Sequence, residues 1–529
     1  MLFRVTLVAL TLLAVAGCTA PDPLTDSELR EAALAEDEKW QARLAQLGEP
    51  VDLAWALTWA LEHNLDFRLR AYDAALATGN RRLASMAMLP SLTAKAGYRD
   101  RSNLQASVSR SVSTGNVSLE PSTSSDRQSE TAELEMSWNL LDFSLAFLRA
   151  REHGEQALIA SEEQRRAVTL LVREVVHAWD KAAAHEALRP LLDDARELAL
   201  QALSQSDRIV AMRLRDPLEV MEYRKALLLS LRRINDLAAE MDRSRDELAR
   251  LLALPAGVKL NLAVGEQDFS AYFLSDEVFR QASLADWQYL ALLSRPEMHQ
   301  ALYQARSARR SATRRMLEQM PSLMLRYGSN YDSNSYLVNS SWNEGAANLS
   351  FNLVSLANIP NQRRMGKLER QQAAARQEIQ AAAITAQVSI VSKMVRNSHD
   401  NFCLSKALSD LEAGRMRLLD ARAQSAALDQ LSLVRNRLEQ LLLQIEHINM
   451  HAELRQSLLM FAGTLGVPVL PADLEDASFE ERRERIAAWF NGAMQSWLAE
   501  QVSLVAEEDN WQAANVDGPA LGAFWECKY

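Results

Sequence analysis

Leu134-Glu135-Met136-Ser137-Trp138-Asn139-Leu140 and Ala347-Asn348-Leu349-Ser350-Phe351-Asn352-Leu353 are one pattern written twice, at a sequence offset of 213. In each, apolar and polar residues alternate, which turns one side of an extended chain toward apolar surroundings and the other toward water. Leu92-Thr93-Ala94-Lys95-Ala96-Gly97-Tyr98-Arg99 alternates as cleanly, and Leu323-Met324-Leu325-Arg326-Tyr327 less so. A tilted strand of a membrane barrel needs ~9–11 residues, about the length of each run. Beyond a short N-terminal run, no segment is apolar enough for a transmembrane helix, so any later crossing of a bilayer is by strands.

The recurrence extends outward from these strands. Asp216 and Asp429, and Pro255 and Pro468, are related by the same offset of 213 as Trp138 and Phe351. Upstream, Leu89-Pro90-Ser91-Leu92 answers Met320-Pro321-Ser322-Leu323 at an offset of 231, so the first copy carries 18 extra residues (231 less 213) between its strands. They fall in Ser102 to Ser129, a Ser/Thr-rich stretch with Gly115 and Pro121 that reads as a mobile, solvated loop. An internal repeat sets the architecture before any motif does. The chain divides into a first copy over 51–265, a second over 266–470, an N-terminal part over 1–50 and an extension over 471–529.

Between the strands lie long helices. After Pro360, placed as at a helix start, no proline occurs until Pro468. A helix from Asn361 to about Leu428 would be on the order of 100 Å long at 1.5 Å per residue. Ile384, Val388, Val391 and Val395 are spaced 4-3-4, and their counterparts Leu171, Val175, Ala178 and Ala182 keep the same apolar seam. Leu431, Val434, Leu438, Leu441, Ile445 and Ile448 carry the seam down a second helix, so each copy is a strand pair feeding a helical hairpin. Pro190 is expected to kink or break the first copy's helix.

Composition agrees with a folded, mainly α protein with a small β part. The 529 residues are 48% hydrophobic and 24% charged, with only 17 Gly and 14 Pro. A net charge of −11, with Arg and Lys interleaved among acids, argues against nucleic acid as a partner. Arg4, the apolar run Val5 to Ala16 and Gly17-Cys18 read as a cleavable export signal over 1–17. Val15-Ala16-Gly17-Cys18 resembles a bacterial lipobox, which makes Cys18 the lipid anchor at the head of a linker over 18–50, and Thr19 resembles the sorting residue of outer-membrane lipoproteins. Cys403 and Cys527 have no CxxC or Cys/His cluster around them, and sequence does not say whether they pair.

Two tandem copies, each with a Leu-Pro-Ser-Leu type strand start, a Trp-x-Leu-x-Asp type strand end and a long hairpin, resemble the TolC family of outer-membrane efflux proteins. The matching residues, over roughly 51–470, are Ala60-Leu61 with Asn64, Arg295-Pro296-Glu297, and Trp138-Asn139-Leu140-Leu141-Asp142. Phe143-Ser144 replaces the usual glycines, and Val354-Ser355 follows the second strand with no aspartate. The resemblance implies a homotrimer. Each subunit would give four strands to a twelve-stranded outer-membrane β-barrel and its hairpins to an α-barrel tunnel across the periplasm, with a periplasmic adaptor and an inner-membrane transporter as partners. Physical chemistry points the same way, because four strands alone leave open edges in lipid. Lys95, Glu133, Glu135, Asn139, Asn348 and Asn352 are then expected to face the barrel lumen. Arg213, Arg215 and Asp216 at one hairpin tip, with Arg422 and Asp429 at the other, are candidates for a gate that threefold symmetry would repeat into rings of charge.

Chemistry of other kinds has little support. His447 and His451, after Glu446, share a helical face, but no third metal ligand stands near, and packing is the plainer reading. GxSxG, Walker and dinucleotide-binding patterns are missing, so neither an enzyme nor a cofactor is expected. The competing readings are a lipid-anchored helical scaffold without a pore and, within the channel class, the outer-membrane duct of type I protein secretion. The extension is expected to form a charged amphipathic helix over Phe479 to Leu504.

Overall fold

In the computed structural model, the described residues are 23–506 apart from 48–49, 119, 212–215, 264–281, 425–429, 472–473 and 475–476. After an exposed helix α1 (Asp26–Leu44), the first copy runs α2 (Leu53–His63), α3 (Leu65–Met86), β1 (Ser91–Asp100), β2 (Gln128–Asn139), α4 (Leu140–Ala211) and α5 (Pro217–Leu251). The second runs α6 (Leu284–Ser294), α7 (Pro296–Leu317), β3 (Ser322–Asp332), β4 (Ser341–Ser350), α8 (Leu353–Gln424) and α9 (Gln430–Leu465). The extension adds α10 (Phe479–Ala488) and α11 (Met494–Ala506). The two sequence offsets carry over to the elements. The starts of α2, α3 and β1 map onto those of α6, α7 and β3 at the longer offset, and the starts of β2, α4 and α5 onto those of β4, α8 and α9 at the shorter.

The strands make one antiparallel sheet in the order β1-β2-β3-β4. Gln128 and Ser129 belong to β2, and the inserted loop is partly built: Ala106–Ser107 pairs with Ser122–Thr123, and Asp126 accepts from Ser335 Oγ at 2.9 Å. Asn334 Nδ2 donates to the Ser124 carbonyl at 2.9 Å. The stretch expected to be a mobile connection is therefore stitched to the β3–β4 turn, a contact between distant residues that composition does not encode.

Both long helices begin directly at a strand end. The Asn139 side chain accepts from Leu141 N at 3.0 Å, and the Asn352 side chain from Val354 N at 3.0 Å, satisfying N–H groups that a helix start leaves open. The second helix thus opens at Leu353, before Pro360, which lies inside it. Leu140, Phe351, Asn352 and Leu353 correspondingly leave the strands assigned to them from alternation. Pro190 likewise sits within a continuous α4. A proline in a helix interior costs about 3 kcal/mol, but Leu188 and Leu192 beside the exposed Pro190 are buried in a cluster with Leu227 and Ile234 of α5 and Leu438 and Leu441 of α9, and this packing holds the helix together.

Where each hairpin returns, the chain makes the same turn twice with different residues. Ala253 has φ +54° and Gly466, its counterpart, φ +77°. A Cβ on Gly466 would stand 2.7 Å from the Ser294 carbonyl carbon, whereas Ala253 bears its Cβ in the left-handed region. Ala253→Gly is expected to raise stability by up to about 1 kcal/mol, and Gly466→Ala to lower it by several times as much. Thermal melting of the two variants in detergent checks the pair.

The core is densest at this level. Trp55, Trp59 and Trp179 anchor one cluster, and Trp287 and Phe461 a second. Trp59 Nε1 donates to the Leu252 carbonyl at 3.0 Å and Asn64 Nδ2 to the Leu251 carbonyl at 3.0 Å, so the helix end of α5 is satisfied by α2 and its cap. The extension joins the clusters: Ile486 and Phe490 lie in the first, Met494 and Leu498 in the second, with Trp489 against both. Gly492, at φ +143°, lets the chain turn between α10 and α11.

Candidate conduction pathway

Register sorts the sheet into two faces. Residues directly opposed across an antiparallel pair share a face, so Lys95, Glu133 and Asn330 lie together, as do Thr93, Glu135 and Gly328. Asn139 pairs with Met324, and Met324 with Asn348, on that same side. The other face carries Leu92, Ala94, Ala96 and Tyr98, then Ala132, Leu134, Met136 and Trp138, then Leu323, Leu325, Tyr327 and Tyr331, then Ala347 and Leu349, with the polar Glu130, Ser329 and Asn343 among them toward the turns. Leu92, Tyr98, Leu134, Tyr327 and Leu349 are exposed in the single chain, an apolar wall facing outward.

Five of the six residues expected to line a lumen therefore share the polar face: Lys95, Glu133, Glu135, Asn139 and Asn348. Asn352 lies beyond β4. Asn139 and Asn352 are also the helix caps described above. Lys95 Nζ and Glu133 Oε1 form an exposed ion pair at 3.2 Å. Sequence alternation did not single out Arg326, yet register puts it opposite Ser137 on the polar side, and Asp332 and Glu344 join it there.

At the far end of the hairpins, Asp216 is exposed and caps α5, accepting from Leu218 N at 3.0 Å. Arg422 falls in the last turn of α8. Arg213, Arg215 and Asp429 lie outside the described residues, as do Cys18 and Cys527. Cys403 is buried on α8, its Sγ 3.6 Å from His399 Nε2.

Along the hairpins the structure shows a charge constellation that periodicity concealed. Asp180 of α4 and Arg455 of α9 meet at 3.0 Å with both side chains 4% exposed. Burial pushes the Asp180 carboxyl up to about 7, with Arg455 pulling the other way. Histidines surround this level. Burial, then Lys181 and Arg173, lower His177 to about 4, and burial, then Arg455 and His447, lower His451 to about 4. The signal was Asp180 within the apolar run Val175, Val176, Trp179 and Ala182, where a carboxylate needs a partner. Phe402 packs against both histidines of the proposed pair, at 5.2 Å from His447 and 5.5 Å from His451, and His447 Nδ1 lies 3.1 Å from Ser405 Oγ.

These groups act on stability with opposite signs. A histidine lowered from 6.5 to about 4 makes the unfolded chain bind more protons in that window, so stability rises with pH across it. Asp180, raised from 3.8 to about 7, makes stability fall as pH rises over its window. Two histidines outweigh one aspartate: melting temperature is expected to climb from pH 4.5 to 6.5, and the slope to flatten or invert in the His177→Gln/His451→Gln variant. Melts across that range decide it.

With this geometry in view, the relatives by structure are consistent. The Campylobacter jejuni CmeC outer membrane channel superimposes with a TM-score of 0.59 at 13% identity, covering 82% of this chain and 89% of that one. The open state of the Neisseria gonorrhoeae MtrE outer membrane channel gives 0.58 at 17% identity over 78% and 88%. The chain has the TolC-like outer-membrane channel fold. VceC, an outer membrane protein of Vibrio cholerae, matches at 0.57 and 13% identity, over 81% of this chain and 98% of its own. At the level of sequence, no family model and no curated protein matches. The TolC-like fold is thus carried here by patterning and packing, at 13–17% identity to these structural neighbours.

Proposed function

We propose that the chain is one subunit of a homotrimeric outer-membrane exit duct serving efflux or export. Cys18 anchors it in lipid, the sheet contributes to a barrel in the outer membrane, and the hairpins form a tunnel through the periplasm. Conduction is passive; an inner-membrane transporter supplies energy and a periplasmic adaptor couples the two. No catalytic step is assigned to the chain.

The observation that carries this reading is the sheet. It has one polar face, one apolar face and, among the described residues, two unpaired edges, β1 and β4. In lipid, such edges close only against another chain. The repeat supports one way of closing them. Within one chain the copies meet through β2 on β3, α4 on α7 and α4 on α9. The equivalent faces, on β4 and α8 and on their counterparts β1, α3 and α5, are left open by the chain's own packing and fit a second copy, a heterologous contact that closes as a ring. A pore-free scaffold has no use for the apolar strand face.

Single-channel conductance of the purified protein in a planar bilayer tests the reading. Stable pores from trimeric particles are expected, and a well-folded preparation that never conducts would overturn it. Asp216→Asn keeps the helix cap but removes the charge; alone or with Asp429→Ala it is expected to raise open time severalfold if the tips are the gate.

A further inference from the structure

We infer that the two kinds of seam in this assembly have orthogonal chemistry at the level of α4 and α7: the seam between copies inside a subunit is ionic there, and the equivalent seam between subunits, α8 against α3, is apolar. The inference rests on the duct reading and goes beyond it, from the number of subunits to what holds them.

The internal seam is visible. Along α4, Glu152 takes Arg314 at 3.2 Å, Glu155 takes Arg310 and, at 3.5 Å, Arg306, and Glu162 lies 3.0 Å from His299. One turn on, Arg166 meets Glu297 at 3.3 Å. The Glu155 side chain is 4% exposed, so this is a desolvated pairing and not a rim contact.

The repeat offsets translate these positions to the face left open. On α8, at the offset of 213, Glu152, Glu155, Glu162 and Arg166 become Met365, Leu368, Ala375 and Ile379. On α3, at the offset of 231, Arg306, Arg310 and Arg314 become Ala75, Gly79 and Leu83, while Tyr303 remains Tyr72. Each α4 carboxylate paired with α7 has been replaced by an apolar side chain, and Arg166 and the three α7 arginines by small or apolar ones. Arg165, which donates to the Ser294 carbonyl at 2.7 Å, has Glu378 as its counterpart. At the head of α7, Glu297 and His299 keep charged counterparts, Asp66 and Arg68, and these face Ile379 and Ala375 in place of ionic partners. Leu368 is 58%, Ile379 68% and Leu83 71% exposed in the single chain, in matching positions on two helices that do not pack on each other within it. Farther down, Asp180 and Arg455 have Lys393 and Asp242 as counterparts, a pair of reversed polarity. A copy docked on its own kind would thus oppose Asp180 to Asp242, or Lys393 to Arg455, and would bury α4 carboxylates against apolar α3.

Two variants of the full-length protein in detergent test this by mass and by crosslinking. Leu368→Glu buries an unpaired carboxylate three times per trimer, and is expected to raise the monomer fraction about 100-fold or more while leaving the helical signal intact, because residue 368 lies on the exposed face of its own chain. Adding Gly79→Arg recreates the Glu155/Arg310 pair at the equivalent place; no atom lies within 4 Å of a Cβ there, and the trimer is expected to return. Ala75→Cys with Leu368→Cys is expected to give covalent trimer on oxidation. If wild type is trimeric, Leu368→Glu stays trimeric and the cysteines do not link, the seam inference fails and the duct stands. A monomeric wild type that does not conduct overturns the duct reading itself.

Discussion

Arg455→Met is expected to destabilise the protein by about 3–5 kcal/mol at pH 8, because it leaves the Asp180 carboxylate buried with no counter-charge. The loss is smaller at pH 6. Asp180 already holds its proton up to about 7, and a neutral carboxyl is a far cheaper thing to bury than a carboxylate. The converse variant, Asp180→Leu, has no such escape, since a guanidinium stays charged at any working pH. Its cost is expected to be larger at pH 6 than at pH 8, because the stability that the wild type draws from the protonated Asp180 below about 7 is lost with the side chain, and to exceed that of Arg455→Met at pH 6. Asp180→Leu with Arg455→Met removes both charges and is expected to be near neutral. Thermal melts of the three variants at the two pH values decide it; equal, pH-independent losses in both single variants would mean that the contact is mere packing.

Truncation after Ala477 is expected to cost more. Ile486 and Leu498 are fully buried and Phe490 and Met494 nearly so, and full burial of such side chains is worth about 1.5–3 kcal/mol each. The sum, on the order of 6–12 kcal/mol, is an upper figure against an extended reference chain, yet it matches the whole stability of an ordinary domain. The truncation also removes Arg482 from Glu62, at 2.8 Å, and Arg483 from Asp52, the residue that caps α2. The expected outcome is failure to accumulate as folded protein, read by protease resistance in detergent. Phe490→Ala and Leu498→Ala, which loosen one copy each, should lower the melting temperature separately and near-additively, because they sit in different clusters.

Much of this molecule was legible because its information is local. Alternation found the four strands, and two offsets measured on a few landmarks hold for every paired element of the structure. What escaped depended on residues brought together from afar. Asn139 and Asn352 read as wet strand residues, and only the structure shows that they also cap helices. Pro360 and Pro190 sit inside helices, and at Pro190 the packing of Leu188 and Leu192 overrules intrinsic preference. The amphipathic helix expected over Phe479 to Leu504 is two helices around Gly492, with a turn that periodicity passes over. The Asp180 partner lies on another hairpin, and no spacing rule points from one to the other.

The clamp at the waist also governs how the molecule is made. Its contacts to α2 join residues separated by 420 and 431 positions, so the segment that locks the first copy to the second follows both copies along the chain and can close on α2 only after they have been made. Closing so long a loop comes late and slowly, and until then apolar strand faces, unpaired edges and the open seam of α8 are bare together. A chain built this way keeps its adhesive surfaces bare for as long as the two halves wait for the segment that joins them.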